Sequence, residues 1–209
     1  MSQARFITLE GIEGAGKTTV ADRITQSLRK RGITVHATRE PGGTKLAERI
    51  RGAVLDRGEE HISATAETLL MFGARQIHID NLIRPALARG EWVLCDRFTD
   101  ASRAYQGGGR GLGTDAIESL AAVAHPRLKP DLTLLLDLPV ESGLARAKGR
   151  KDGGDRFEDE AEAFFGRVRE RYLQLAANEP QRIRVLDATK SQSALLKLAL
   201  AAVDQLGSP

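Results

Sequence analysis

Residues Gly11-Ile12-Glu13-Gly14-Ala15-Gly16-Lys17-Thr18 match the spacing G-x-x-x-x-G-K-[ST] at every fixed position. The pattern constrains the fold because it works in one local setting. Its glycines let backbone N–H groups turn inward around phosphate oxygens. A helix must begin at its end, so that the helix N-terminus faces the anion. The flanks supply that setting: Phe6-Ile7-Thr8-Leu9 is a short apolar strand candidate, and Val20 to Lys30 reads as a helix. Lys17 is expected at the β- and γ-phosphates of a nucleotide and the Thr18 hydroxyl at Mg²⁺.

The rest of the chain repeats this alternation. Strand candidates lie at residues 5–10, 33–38, 91–96, 132–137 and 182–187. Helical stretches lie near 17–31, 44–56, 64–89, 114–124, 140–149, 158–178 and 191–206. Strands alternating with helices imply an α/β fold with a parallel sheet covered on both faces and joined by right-handed crossovers. Pro85 lies inside the long third stretch and is expected to bend it. With no repeat or low-complexity linker, residues 1–209 read as one domain. Two glycine-rich segments break the rhythm and read as solvated loops: Gln106-Gly107-Gly108-Gly109-Arg110-Gly111 and the stretch from Gly149 to Arg156. The second carries Arg150, Lys151 and Arg156, and such a segment can close over transferred phosphates as a lid.

Composition excludes several classes. A formal charge of +3 suits anionic small molecules and gives no reason to expect nucleic-acid binding. One cysteine, Cys95, rules out an internal disulfide framework, and its apolar neighbours make it a buried hydrophobe. No run is long and apolar enough to span a bilayer, and the first strand candidate follows the N-terminus too closely for a signal peptide. A soluble cytoplasmic protein is the expectation.

A phosphate loop needs a metal-side acid at the carboxyl end of another strand, where ligands gather in open α/β sheets. Asp96 ends the third strand candidate and Asp137 the fourth; Asp96 is favoured because Arg97 adds a phosphate-binding charge beside it. The base-reading N-K-x-D pattern of switch GTPases is absent. Several arginines around one metal site suit a small kinase in which two anionic substrates face each other. For the acceptor, Arg39 is available to a phosphate, Phe72 can stack on a base, and Arg75 can bond a carbonyl. Ser102, Tyr105 and Gln106 can hydrogen-bond a base edge.

Taken together these segments resemble bacterial thymidylate kinases over essentially the whole chain. The resemblance is carried by Glu10 to Thr19, by Thr38 to Thr44, by Asp96-Arg97-Phe98 continuing through Ala104-Tyr105-Gln106 to Gly111, and by Asp155-Arg156-Phe157. It implies a P-loop nucleoside-monophosphate kinase fold with a five-stranded parallel sheet, phosphoryl transfer from ATP to dTMP with Mg²⁺, and a homodimer. It also implies roles. Glu13 would meet the deoxyribose 3′-hydroxyl, and Arg39, Arg51 and Arg97 the dTMP phosphate. Arg75 would bond the thymine carbonyl, Phe72 stack on the base, Ser102 and Gln106 meet its edge, and Tyr105 disfavour a 2′-hydroxyl. Arg146 would pack on adenine beside the Asp187-Ala188-Thr189-Lys190 turn.

The chain departs from the family in places. The stacking aromatic often lies four residues before the arginine; here Phe72 lies three before Arg75, and Met71 holds the other register. Ala101 stands where many relatives carry serine. No arginine lies between Gly11 and Lys17, so a lid arginine, Arg150 or Arg156 in the lid of roughly 149–157, is expected to contact the transferred group in cis. The competing readings are another nucleoside-monophosphate or deoxynucleoside kinase, and a non-catalytic nucleotide-binding regulator.

Overall fold

The protein is described from a computed structural model covering residues 4–148, 156–157 and 160–207. Among the described residues five strands form one parallel sheet: β1 Phe6–Glu10, β2 Val35–Arg39, β3 Trp92–Asp96, β4 Leu132–Asp137 and β5 Ile183–Asp187, in the order β2-β3-β1-β4-β5. The register aligns Leu9 and Arg39 with Asp96, and Asp137 with Asp187. The polar residues Glu10, Arg39, Asp96, Asp137 and Asp187 therefore end all five strands on one rim.

Alternation along buried strands sorts the core into two faces. Ile7, Leu9, Trp92, Leu94, Leu132 and Leu134 pack with Ile24 and Leu28 of α1 (Lys17–Lys30) and with Leu195, Ala199 and Val203 of α9 (Gln192–Asp204). On the other face, Leu135 and Ile183 meet Phe165, Val168 and Tyr172 of α8 (Glu162–Asn178). There too, Phe6, Val93 and Cys95 meet Ile79 and Ile83.

The remaining helices are α2 (Lys45–Leu55), α3 (Ala64–His78), α4 (Arg84–Ala88), α5 (Thr99–Ser102), α6 (Thr114–Ala124) and α7 (Val140–Lys148). The expected helix at 64–89 runs from α3 to α4 through a π-helical turn, Ile79–Ile83, where the Arg84 N–H donates to Ile79. Pro85 lacks an N–H and would crowd the carbonyl four residues back, and the widened turn sits directly before it.

Two expectations are corrected. The second strand starts at Val35, not residue 33, because Gly32 (φ 76°) and Ile33 close α1: the Ile33 N–H returns to Leu28 O at 3.1 Å. The Gln106 to Gly111 segment is not a free loop. Arg103–Gly109 continues α5 as a π-helical segment packed on α8. A Cβ on Gly109 would lie 2.5 Å from Phe164 Cε2, and one on Gly108 2.9 Å from Arg171 Cβ. These glycines permit close helix contact rather than flexibility.

Candidate active site

The loop from Gly11 to Thr18 runs between β1 and α1 on the polar rim. Gly14 has φ 75°, and a Cβ there would lie 2.2 Å from the Gly143 carbonyl of α7, so only glycine fits. Lys17 opens α1, is buried, and its Nζ donates to the Gly11 and Ile12 carbonyls, each at 3.0 Å. Burial, and secondarily the charge of Arg97, lower its pKa from 10.5 to about 8.

β3 brings Asp96 and Arg97 opposite this loop. Arg97 adopts φ 70°, a left-handed conformation that is uncommon outside glycine. Its Nη2 donates to Glu13 Oε1 at 2.8 Å, its Nη1 to the Tyr172 hydroxyl at 3.4 Å, and its guanidinium lies 4.6 Å over the Tyr105 ring. The Tyr105 hydroxyl also donates to Glu13, at 2.7 Å. Behind Arg97, Glu10 is fully buried and accepts the Phe98 N–H at 2.8 Å and the Tyr172 O–H at 2.7 Å. Burial, then the charge of Asp100, raise the Glu10 pKa to about 8.

Asp96 Oδ1 is buried and lacks a hydrogen-bond partner among the described residues. By contrast, both oxygens of Asp137 are taken by Arg169, at 2.7 and 2.9 Å. An unsatisfied buried carboxylate oxygen on a residue that lines the same cavity as Thr18 suits a hard cation or its water shell, because such an acceptor is costly to leave alone. The donor set therefore fits Mg²⁺ at Thr18 and Asp96 and not at Asp137.

α3 builds the other end. Arg75 is 3 % exposed and held on three sides: Nε donates to Glu40 Oε2 at 2.6 Å, and Nη2 donates to Phe98 O at 3.0 Å and Ser102 Oγ at 3.1 Å. Among the described residues its Nη1 has no partner. Glu40 is buried, which pushes its pKa up, but Arg75 and His78 outweigh that and hold it below the usual carboxylate value. One cavity of about 930 Å³ joins these groups, lined by Lys17, Thr18, Asp96, Arg97 and Glu13 at the phosphate loop and by Arg75, Ser102, Tyr105 and Gln106 beyond it.

Most of the expected site residues converge on this cavity, including Gly14, Gly16, Thr19, Arg39, Arg51 and Arg146. Arg39 pairs with Glu48 at 3.0 Å, Arg51 donates to Pro41 O at 3.0 Å, and Arg146 to Ala188 O at 3.3 Å. Gly11, Ile12 and Ala15 form the buried back of the loop.

Phe72 is not among the residues that line the cavity. Its ring supports the Arg75 guanidinium at 4.6 Å and lies parallel to His125, while Met71 and Phe157 face the open space. Asp187, Ala188 and Thr189 also lie off the cavity wall; Asp187 accepts the Thr189 N–H at 3.0 Å and stabilises their turn. Arg156 is not at the phosphate loop; it donates to Glu67 at 2.6 Å and to Val54 O at 3.2 Å. Arg150 and most of the lid at 149–157 fall outside the described residues.

Sequence reasoning missed Glu40, His78, Glu67 and Tyr172, the partners that orient the expected residues. His78 lies three residues after Arg75, on the same helical face, which was a usable signal.

The comparisons with known proteins point to one family. A family model described as thymidylate kinase matches residues 9–198. A thymidylate kinase of Alkalilimnicola ehrlichii is 55% identical over 94% of this chain and 90% of its own length. One of Pseudomonas entomophila is 56% identical over 91% of this chain and 90% of its own. The crystal structure of thymidylate kinase from Ehrlichia chaffeensis superposes with a TM-score of 0.76 at 30% identity, covering 97% of this chain and 98% of that one.

Proposed function

The chain belongs to the thymidylate kinase family and transfers the γ-phosphoryl group of ATP to dTMP, giving dTDP and ADP in dTTP synthesis; we propose that it does so by holding the two nucleotides end to end in the cavity described above. One observation carries this reading: a single space joins the phosphate loop to a buried guanidinium whose Nη1 lacks a partner among the described residues.

Residues Gly11 to Thr19 wrap the ATP phosphates with backbone N–H groups, Lys17 neutralises the β- and γ-phosphates, and Arg146 covers the adenine beside Asp187, Ala188 and Thr189. Thr18 and Asp96 hold Mg²⁺, which when bound neutralises charge on the phosphate oxygens. Arg97, with Arg39 and Arg51, grips the dTMP phosphate and sets it in line with the donor. The Glu13–Arg97–Tyr105 contacts support this: they fix the guanidinium before any ligand arrives, so little ordering entropy is lost during transfer. Glu13 also accepts the 3′-hydroxyl, and the Tyr105 ring fills the space a 2′-hydroxyl would need. At the base, Arg75 Nη1 donates to a thymine carbonyl, Ser102 and Gln106 meet the edge, and Met71 rather than Phe72 covers the face.

Arg150 supplies the lid charge to the transferring group, because Arg156 is already committed to a buried carboxylate. Residues 1–209 act as one kinase domain. Two copies pair through α3 and α6, which carry the exposed side chains Leu69, Leu70 and Val123. Among the described residues no helix is long and apolar enough to cross a membrane. The lone cysteine, Cys95, is buried and free, and the enzyme works in the cytoplasm.

The test is ADP release from Mg-ATP with dTMP, dUMP, dCMP, dGMP, AMP or thymidine as acceptor. Highest kcat/KM with dTMP supports the reading. Turnover confined to another acceptor, or ATP binding without dTMP turnover, refutes it.

A further inference from the structure

Glu67 is a fully buried carboxylate on α3 that none of the ligand contacts above uses. It accepts the Gln106 side-chain amide, Nε2 to Oε1, at 2.8 Å. It also accepts from Arg110 Nε at 3.2 Å and from Arg156 Nη2 at 2.6 Å. Gln106 is 2 % exposed and lines the cavity beside Ser102 and Tyr105.

A carboxylate flanked by two guanidinium groups only accepts hydrogen bonds. A glutamine amide turned the other way would set its carbonyl oxygen against that carboxylate, in an interior where the repulsion is weakly screened. The amide is therefore restricted to one orientation: NH₂ toward Glu67, and Oε1 as the group left for the cavity. The hydrogen-bond inventory of the base end follows. Arg75 Nη1 is a free donor. Ser102 Oγ accepts from Arg75 Nη2, which leaves its own hydrogen to donate. Gln106 Oε1 is an acceptor.

We infer that Glu67 is a specificity-determining positioning residue: by orienting Gln106 it fixes an acceptor in the base pocket, and so selects a pyrimidine with an imino N–H over a 4-aminopyrimidine. A 2,4-dioxopyrimidine offers two carbonyl acceptors and one N–H donor, the complement of two donors and one acceptor. A 4-aminopyrimidine presents a bare ring nitrogen to that acceptor. This rests on the reading that Gln106 meets the base.

The experiment is steady-state kinetics of the full-length enzyme with dTMP and 5-methyl-dCMP, which share the methyl group and differ in the hydrogen-bonding edge. The wild type should prefer dTMP by more than about a hundredfold in kcat/KM; near-equal use of the two overturns the inference whatever the variants do. In Glu67→Gln, checked for folding by its thermal melt, the preference should fall about tenfold. Part of the fall should be a rise in 5-methyl-dCMP turnover, which general loosening would not produce. Arg110→Gln removes a different partner of Glu67 and should keep the preference within about twofold of wild type. A folded Glu67→Gln enzyme with the wild-type preference, or an equal fall in Arg110→Gln, overturns the inference. Gln106→Ala separates the two levels. If it leaves dTMP kinetics intact, Gln106 does not meet the base and the functional reading fails there. If it impairs them while Glu67→Gln keeps the preference, only the role of Glu67 fails.

Discussion

Glutamine at position 10 should remove a pH-dependent cost that the wild-type fold carries. Glu10 ends β1 inside the core, and burial followed by the charge of Asp100 raise its pKa from 4.5 to about 8, against opposing pulls from Tyr172, Arg97 and the Phe98 N–H. The folded-state value lies above the unfolded one. Between those two values the native chain binds more protons than the unfolded chain, so stability falls as pH rises through the window and levels off above it. At 1.36 kcal/mol per pKa unit the whole cost is on the order of 5 kcal/mol, of which about 3 falls between pH 5.5 and 8.5. Glutamine matches the neutral acid in shape, still accepts the Phe98 N–H, and can donate to Tyr172. Lys17, with its pKa of about 8, titrates at the top of this range in both proteins; Glu10 is a minor one of the charges acting on it, so most of its titration cancels in the difference. Urea denaturation of wild type and Glu10→Gln at both pH values measures the effect. The variant should gain about 3 kcal/mol on wild type between pH 5.5 and 8.5. A stability gap that is the same at both pH values would mean Glu10 is ionised throughout, and the reasoning would be wrong.

Packing and chemistry supply the remaining predictions. Gly109→Ala should cost about 1–3 kcal/mol, read as a lower Tm, since its Cβ meets the buried Phe164 ring at 2.5 Å. Gly166→Ala, exposed on α8 with open space around it, should instead gain about 0.5–1 kcal/mol. Asp96→Asn should lower kcat by roughly 10²-fold and raise the Mg²⁺ concentration for half-maximal rate, with KM for dTMP little changed; an unaltered Mg²⁺ dependence would remove Asp96 from the metal site. Arg150→Ala should lower kcat by about 10³–10⁵-fold, with a smaller loss for Arg156→Ala. If both keep near-normal kcat, no lid arginine serves the transferring group.

The parts of this structure legible in the sequence are those set by local rules. The phosphate loop announces itself because glycine spacing, Lys17 and the first turn of α1 are contiguous. The strands announce themselves as apolar runs closed by a polar residue, as at Asp96 and Asp137. What the sequence left open depends on contacts between distant elements. Phe72 and Met71 are neighbours on α3, and only the packing of His125 against Phe72 decides which of them faces the cavity. Gly108 and Gly109 fit a mobile loop or a tight helix contact equally well until α8 is placed against them. Glu40 and Glu67 are unremarkable acids in the chain. Their importance comes from the buried guanidinium and amide groups the fold presses onto them.

The most direct measurement is a crystal structure of the enzyme with dTMP and a non-hydrolysable ATP analogue. The dTMP phosphate should lie against Arg97 and Arg39 with thymine at Arg75 and Gln106, and the analogue's phosphates should lie in the loop of residues 11–18. Thymine bound away from Arg75, or a dTMP phosphate out of line with the donor, would contradict the end-to-end arrangement on which the proposed roles depend.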